Sequence, residues 1–127
     1  MRHQNKYHAK KTYLMGKEFD SKKEARRYAE LLLLVRAGEI TDLQCQVPFE
    51  LIPAQREADT VGARGGIKQG KVIERAVTYV ADFTYRDRDG NLIVEDTKGY
   101  KEGQAYAVFS IKRKLMLYVH HIQIKEV

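Results

Sequence analysis

The sequence predicts a single α/β domain in which a helix, a strand, a β-hairpin, a second helix and a final strand follow one another. The chain has 127 residues, enough for one domain with a hydrophobic core. Two segments carry helical apolar spacing, and the other ordered segments alternate apolar with polar residues. The sequence shows no internal repeat and no sign of a second domain.

The composition excludes several classes of protein. The 23 basic and 17 acidic residues give a net charge of +6, which favours a polyanionic partner, nucleic acid before an anionic membrane surface. A single cysteine, Cys45, excludes an internal disulfide and a zinc cluster. The longest apolar run, LLLLV, is far shorter than the roughly 20 residues of a membrane span, and the first residues lack the apolar core of a signal peptide. We therefore expect a cytoplasmic protein that does not cross a membrane.

The first third of the chain predicts an arm, a helix and a strand. Residues 1–18 are basic and sparsely apolar, which indicates an N-terminal arm that either contacts phosphates or is a solvated tail. A capping box formed by Ser21 and Glu24 begins the helix, and Gly38 ends it. Alternation over 43–52 then predicts a strand.

The segment 53–72 is polar and glycine-containing, and we interpret it as a mobile loop. Its Arg64, Lys68 and Lys71 are candidate phosphate contacts, although the spacing of its glycines is not that of a P-loop. Apolar positions at Val108, Ile111, Leu115 and Tyr118 predict the second helix. The remaining predicted elements are strands at 74–87 and 91–98, this helix at 104–119 and a strand at 121–127.

Carboxylates interrupt the predicted hairpin, where strands normally exclude them. Asp82 lies within the first strand, and Asp96 lies near the end of the second. A two-residue turn at 89–90 would pair Asp82 with Thr97 and put the two acids on opposite faces, whereas a three-residue turn at 88–90 would pair Asp82 with Asp96. The sequence alone leaves both registers open.

In the second register two carboxylates face each other, with Lys98 two residues along the strand. Opposed like charges destabilise a sheet unless something neutralises them, and oxygen ligands favour Mg²⁺ or Mn²⁺. A metal beside an ammonium group is an arrangement suited to phosphodiester hydrolysis. The alternatives are that Asp96 and Lys98 form a solvated pair and that Glu24 is only a helix cap.

Asp82, followed after thirteen residues by Asp96-Thr97-Lys98, resembles the D-x(n)-(D/E)-x-K signature of the PD-(D/E)xK nuclease superfamily. The predicted order of elements resembles its αβββαβ restriction-endonuclease-like core, which has a mixed central sheet. The segments FDSKKEARRYAEL, QVPFELIP, YVADF, VEDTKG and IKRKLM resemble a small phage and prophage family of uncharacterised nuclease-like proteins. The resemblance covers nearly the whole chain from Phe19 onward.

The resemblance implies a carboxylate metal site with a catalytic lysine. Ala81 stands where the signature has proline, an exchange that is frequent in the superfamily. Val108 stands where the RecB-like branch has tyrosine, which argues against an exonuclease of that branch. The residues assigned by resemblance are Asp82, Asp96 and Glu24 for the metal, Lys98 for catalysis, and Gln46 and Lys112 as auxiliary positions.

We therefore expect an arm at 1–18 and a nuclease-like domain at 19–127 that acts as a Mg²⁺- or Mn²⁺-dependent endodeoxyribonuclease. Small size and the phage-like family favour cleavage of branched or Holliday-type DNA in the cytoplasm of a bacterial host. Paired cuts on two strands need two sites, which favours a homodimer. The expected DNA-binding residues are Arg64, Lys68, Lys71 and Lys112.

Two other functions are compatible with the sequence. A non-catalytic nucleic-acid-binding protein would keep the same fold and basic surface. A histidine metal site is weaker, because His120 and His121 are adjacent in a predicted strand and would point to opposite faces.

Overall fold

The computed structural model describes residues 12–14, 16–98 and 101–127, which contain two helices and a four-stranded mixed sheet. The predictions that fall on residues 1–11, including most of the basic N-terminal arm, lie outside the described residues. The elements in chain order are β1 (Thr12–Leu14), β2 (Lys17–Phe19), α1 (Lys22–Arg36), β3 (Thr41–Ile52), β4 (Gln55–Arg56), β5 (Thr60–Val61), β6 (Ile67–Lys68), β7 (Val72–Glu74), β8 (Val77–Arg86), β9 (Leu92–Asp96), α2 (Gln104–His120) and β10 (Lys125–Glu126).

Helix α1 begins and ends where its sequence predicts. The Ser21 hydroxyl accepts a hydrogen bond from the backbone N–H of Glu24 at 3.1 Å, which satisfies one of the free donors at the helix N-terminus. Gly38 has φ +75, a left-handed conformation that glycine adopts without strain, and the chain reverses there. The apolar side of α1 buries Tyr28 and Leu31 against Phe83 of the sheet.

The central sheet has the order β10-β9-β8-β3, in which β9 and β10 are parallel and the other neighbours antiparallel. Ile93 packs with the core cluster of α1, and the next residue, Val94, packs with that of α2. Because successive side chains of a strand point to opposite faces, the two helices cover opposite faces of β9. The prediction of a single α/β domain with a mixed sheet is confirmed at this level.

The hairpin between β8 and β9 has the three-residue turn. Phe83 pairs with Glu95 and Arg86 with Leu92, and the Asp87 N–H donates to the Asn91 carbonyl at 3.0 Å. Gly90 has φ +83, as the last position of this turn requires. The register continues to place Asp82 opposite Asp96.

The regular alternation of side chains between the two faces of the β3–β8 pair is interrupted at Gln46, a non-glycine residue with φ +53. The pairs on either side of it place Gln46 opposite Asp82. Simple alternation would put Ala81 and Phe83 on the same face, yet Ala81 packs with the cluster of α2 and Phe83 with that of α1. The left-handed residue thus marks the point at which the two cores separate.

The structure of residues 55–74 corrects the prediction of a mobile loop at 53–72. We call these residues the arm; they are distinct from the N-terminal arm predicted at 1–18. The arm's four short strands form two antiparallel ladders, β4 with β7 and β5 with β6. Strands of two or three residues give almost no periodic pattern, so the sequence did not reveal them. Within the arm only Gly70 is buried.

Four further differences concern the ends of the chain and α2. The β1–β2 hairpin occupies part of the predicted 1–18 arm. Helix α2 extends to His120, and His121 forms its left-handed C-cap, so neither histidine lies in a strand. The final strand is only two residues long. The core side of α2 consists of Phe109 and Met116, whereas Val108, Ile111 and Tyr118 of the predicted apolar stripe are exposed.

A buried ion pair joins α1 to β9. Glu95 is 0 % exposed, and its two carboxylate oxygens accept hydrogen bonds from Arg27 Nε at 2.8 Å and Nη2 at 2.7 Å. The Tyr85 hydroxyl also donates to this carboxylate. Burial alone would raise the pKa of Glu95, but the hydrogen bonds from Arg27 and Tyr85 hold it below its ordinary value.

Arg27→Ala should therefore destabilise the fold. It leaves the buried Glu95 carboxylate with the more distant Lys125 Nζ, 4.0 Å away, and removal of one partner of a buried ion pair typically costs about 3–5 kcal/mol. The control Arg26→Ala removes an exposed arginine from the same helix turn and should change stability by less than about 0.5 kcal/mol. Urea unfolding followed by circular dichroism measures both, and equal effects of the two changes would contradict the prediction.

Candidate active site

Two aspartates and a lysine meet where β8 and β9 lie side by side. Asp82 Oδ2 accepts a hydrogen bond from the Thr97 N–H at 2.7 Å, which fixes this carboxylate beside Asp96. Asp96 is 4 % exposed, and Lys98 Nζ lies 2.6 Å from its Oδ2. This contact is an ion pair that lacks the angles of a hydrogen bond, since no hydrogen bond reaches that oxygen among the described residues.

These three side chains line an open cleft of about 350 Å³. The Lys98 ammonium lies 3.9 Å from the ring centroid of Phe109, so α2 holds the lysine in place from the other side. Lys112 of α2 lies at the same cleft. The complete lining is Asp20, Gln46, Thr78, Tyr79, Val80, Asp82, Asp96, Lys98, Ala105, Val108, Phe109 and Lys112.

Glu24 lies beside this cleft and lines a neighbouring hollow of about 230 Å³. It is 5 % exposed, and its carboxylate accepts a hydrogen bond from Gln46 Nε2 at 2.8 Å. Gln46 and Asp20 line both the hollow and the cleft. The Glu24 side chain therefore points to Gln46, and the cap of α1 comes from Ser21.

Burial and neighbouring carboxylates raise the pKa values of Glu24 and Asp82. Burial is the largest cause of the rise in the pKa of Glu24 to about 7, and the charges of Asp82, Asp20 and Asp96 add to it. Burial likewise raises the pKa of Asp82 to about 6, which the Thr97 N–H opposes and Asp96 reinforces. Two negative groups near one another in a poorly solvated place favour a shared proton or a bound cation.

The donor set suits a hard divalent cation. Carboxylate oxygens are the ligands that Mg²⁺ prefers, and Mg²⁺ is usually held by one or two carboxylates, with waters or substrate phosphates completing its shell. Asp82 and Asp96 supply such a pair. Among residues 12–14, 16–98 and 101–127, no three His, Cys, Asp or Glu side chains are grouped closely enough to hold a metal without such help.

The predicted DNA-binding residues separate into two places. Lys112 lies at the cleft, whereas Arg64, Lys68 and Lys71 belong to the arm and do not line it. Sequence reasoning missed Asp20, which directly precedes the cap of α1 and joins the same group of acids. Its position at the helix end that carries Glu24 was the available clue.

Comparison with known proteins identifies a family. A family model described as "Protein of unknown function (DUF1064)" matches residues 4–126. No curated protein and no solved structure matches the chain. No helix of the described residues is both long and apolar enough to cross a membrane.

Asp82→Asn should stabilise the protein at neutral pH. The pKa of this carboxyl is 3.8 in its reference state and about 6 in the fold, so the folded state binds the proton more tightly and loses stability as pH rises through that range. Removal of the charge should recover about 2 to 3 kcal/mol, at about 1.4 kcal/mol per pKa unit.

Denaturant unfolding in chelator at several pH values measures this effect. The control Asp89→Asn changes an exposed residue of the same hairpin and should leave the pH dependence as it is. If Asp82→Asn destabilises the protein at neutral pH, the opposed carboxylates are not a source of strain.

Proposed function

The chain belongs to the DUF1064 family, whose members are described as proteins of unknown function, and we propose that it is a metal-dependent endodeoxyribonuclease. The observation that carries this proposal is the cleft in which Asp82 lies opposite Asp96, with Lys98 Nζ 2.6 Å from Asp96. Hydrolysis of a phosphodiester needs such a set of oxygen ligands beside a cationic group. The order α1, β3, β8, β9, α2, β10 is compatible with the αβββαβ restriction-endonuclease-like topology, which forms part of the proposal.

Asp82 and Asp96 would hold Mg²⁺ or Mn²⁺, and Glu24 would complete the site through water or through Gln46. When bound, the ion would polarise the phosphoryl oxygen and lower the pKa of the attacking water. The Thr97 N–H keeps the Asp82 carboxylate turned toward Asp96, which pre-organises the two ligands.

Lys98 is the proposed catalytic residue. Its ammonium lies between Asp96 and the Phe109 ring, inside the cleft rather than in bulk solvent. From there it can orient a water for attack on phosphorus and stabilise the negative charge that develops on the phosphoryl oxygens. The water oxygen forms the new bond to phosphorus and loses a proton to solvent, while the bond to the leaving sugar oxygen breaks and that oxygen takes a proton from solvent.

Basic side chains at two places would contact the DNA. Lys112 lies at the cleft, and Arg64, Lys68 and Lys71 extend the positive surface along the arm. We propose that branched DNA is the substrate and that a homodimer makes the paired cuts, because the described domain offers one such cleft.

A second candidate is a nucleic-acid-binding protein without catalytic activity. Two observations favour it: Lys98 already neutralises Asp96, and the described residues contain no group of three potential metal ligands. The two candidates differ in whether the carboxylates bind a cation.

Adding Mg²⁺ should stabilise the protein and permit cleavage. Binding to the folded state alone raises the free energy of unfolding by about 2.7 kcal/mol when Mg²⁺ exceeds its dissociation constant a hundredfold. Asp82→Asn and Asp96→Asn should abolish both the stabilisation and the cleavage, while DNA binding in chelator persists. Lys98→Ala should retain the stabilisation and lose cleavage. Thermal unfolding and gel assays on linear, nicked, flapped and four-way DNA measure these effects.

The control Asp89→Asn should behave as the parent in both assays. If neither Mg²⁺ nor Mn²⁺ stabilises the parent and no DNA is cut, the non-catalytic function replaces the proposal. If the Asn variants cut DNA as fast as the parent does, the site lies elsewhere.

Glu24→Gln tests the third carboxylate. Ser21 still caps α1 in this variant, and the charge that burial disfavours at Glu24 is removed, so stability in chelator at neutral pH should be kept or increased, whereas cleavage should fall at least tenfold if Glu24 supports the metal. The matched control is Glu30→Gln, an exposed glutamate later in α1. Normal cleavage by Glu24→Gln would show that the glutamate serves only the hydrogen bond with Gln46.

A further inference from the structure

The arm is a built structure rather than a flexible loop. The Gly70 N–H donates to Asp59 Oδ1 at 2.8 Å, the Arg56 guanidinium donates to the Gly70 carbonyl at 3.0 Å, and the Glu57 N–H donates to the Lys71 carbonyl at 2.8 Å. A Cβ on Gly70 would lie 1.8 Å from the Glu57 carbonyl oxygen, so only glycine permits this approach of the two sides. These contacts brace the middle of a two-stranded ribbon.

The arm continues the longest antiparallel pair of the sheet. Ile52 at the end of β3 pairs with Val77 at the start of β8, and the arm connects them. Thr78 and Val80, which follow directly in β8, line the candidate active cleft. From Ile52 to Val61 the ribbon can reach roughly 30 Å, close to one turn of duplex DNA.

The outer half of the arm has one apolar face. Val61 and Ile67 are cross-strand partners, so their side chains lie on the same face, where they are 75 % and 77 % exposed. No described residue outside the arm covers them. An exposed apolar pair on one face, at the end of a braced ribbon, is a candidate contact surface for a partner.

The charges of the outer arm indicate what the partner is. Arg64 lies in the turn between β5 and β6, and Lys68 lies on the face opposite the apolar pair. The nearest acid in sequence, Asp59, is already engaged by the Gly70 N–H. The outer arm thus has an apolar face, a cation in its turn and a cation on the opposite face. This combination is complementary to a groove of DNA, whose walls are phosphates and whose floor is base edges.

We propose that the arm enters the major groove of duplex DNA next to the bond that is cut, with Val61 and Ile67 against base edges and Arg64 reaching a guanine. This inference rests on the proposed function for the identity of the polymer. The major groove, about 12 Å wide, admits a two-stranded β-ribbon, whereas the minor groove is about half as wide. Apolar side chains there contact thymine methyl groups, and arginine binds guanine O6 and N7.

This placement differs from the sequence-based expectation that the segment 53–72 contacts only phosphates. A ribbon that touches base edges gives the protein a modest preference for particular base pairs beside the cleavage site. It also requires a duplex on at least one side of that site.

Guanine N7 protection tests the proposal. The full-length protein is bound in chelator to a four-way junction with mixed-sequence arms, so that no cleavage occurs, and the DNA is then methylated with dimethyl sulfate, which reacts at N7 in the major groove. The parent should protect a short cluster of guanines in one arm of the junction. Arg64→Gln should lose the protection of one guanine, and affinity should fall about tenfold.

Val61→Thr together with Ile67→Thr keeps β-branched side chains in the ladder and removes the apolar face. The parent should bind a junction with thymine in the protected segment more tightly than one with uracil, which lacks the methyl group. This double variant should lose that preference. The matched control is Val72→Thr with Ile73→Thr, a pair near the base of the same arm, which should keep it. Gly70→Ala should abolish protection, because the two sides of the arm can no longer approach.

The outcomes separate this inference from the proposed nuclease function. Protection without cleavage in Mg²⁺ supports the groove contact and contradicts the nuclease. Cleavage in Mg²⁺ without guanine protection by the bound protein overturns the groove contact and leaves the nuclease in place. If Val61→Thr with Ile67→Thr instead converts a dimer to a monomer in sedimentation, the apolar pair contacts a second copy and the inference is wrong.

Discussion

A turn of three residues determines whether the carboxylates of this protein can act together. With Gly90 as the last turn residue, Asp82 lies opposite Asp96, and a turn one residue shorter would put them on opposite faces of the sheet. The cleft that both acids line and the contribution of Asp96 to the raised pKa of Asp82 follow from this register. The candidate site therefore depends on the pairing of β8 with β9 as well as on the side chains present.

Two consecutive acids of β9 serve opposite faces of the sheet. Glu95 points toward α1, where Arg27 and Tyr85 satisfy its oxygens and hold it ionised. Asp96 points toward α2, where Lys98 is the cation that pairs with it. The first acid is fully compensated and joins helix to sheet, whereas the second shares its face with Asp82 and retains an excess of negative charge. Structural and chemical roles are therefore divided along adjacent residues of one strand.

Local patterns predicted the parts of the fold that depend on local interactions. The cap at Ser21, the stop at Gly38 and the presence of a turn that ends at Gly90, though not its length, are each set by a few neighbouring residues, so α1 and the hairpin could be found from the sequence. The arm could not, because its pairing depends on the approach of Gly70 to Glu57 across the ribbon. The register of Asp82 and Asp96 was open because two turn lengths fitted the local residues, and the folded sheet has the longer one.

The left-handed conformation of Gln46 has a consequence for attempts to make this protein more heat-resistant. A non-glycine residue at φ +53 carries strain of order 1 kcal/mol, and a glycine there would relieve it. Yet Gln46 is the residue whose amide holds Glu24 at the edge of the cleft. Directed evolution that screens only for survival of heating would tend to discard this glutamine. A thermostable variant obtained in that way would have a less strained backbone but would lack the hydrogen bond that holds Glu24 at the cleft.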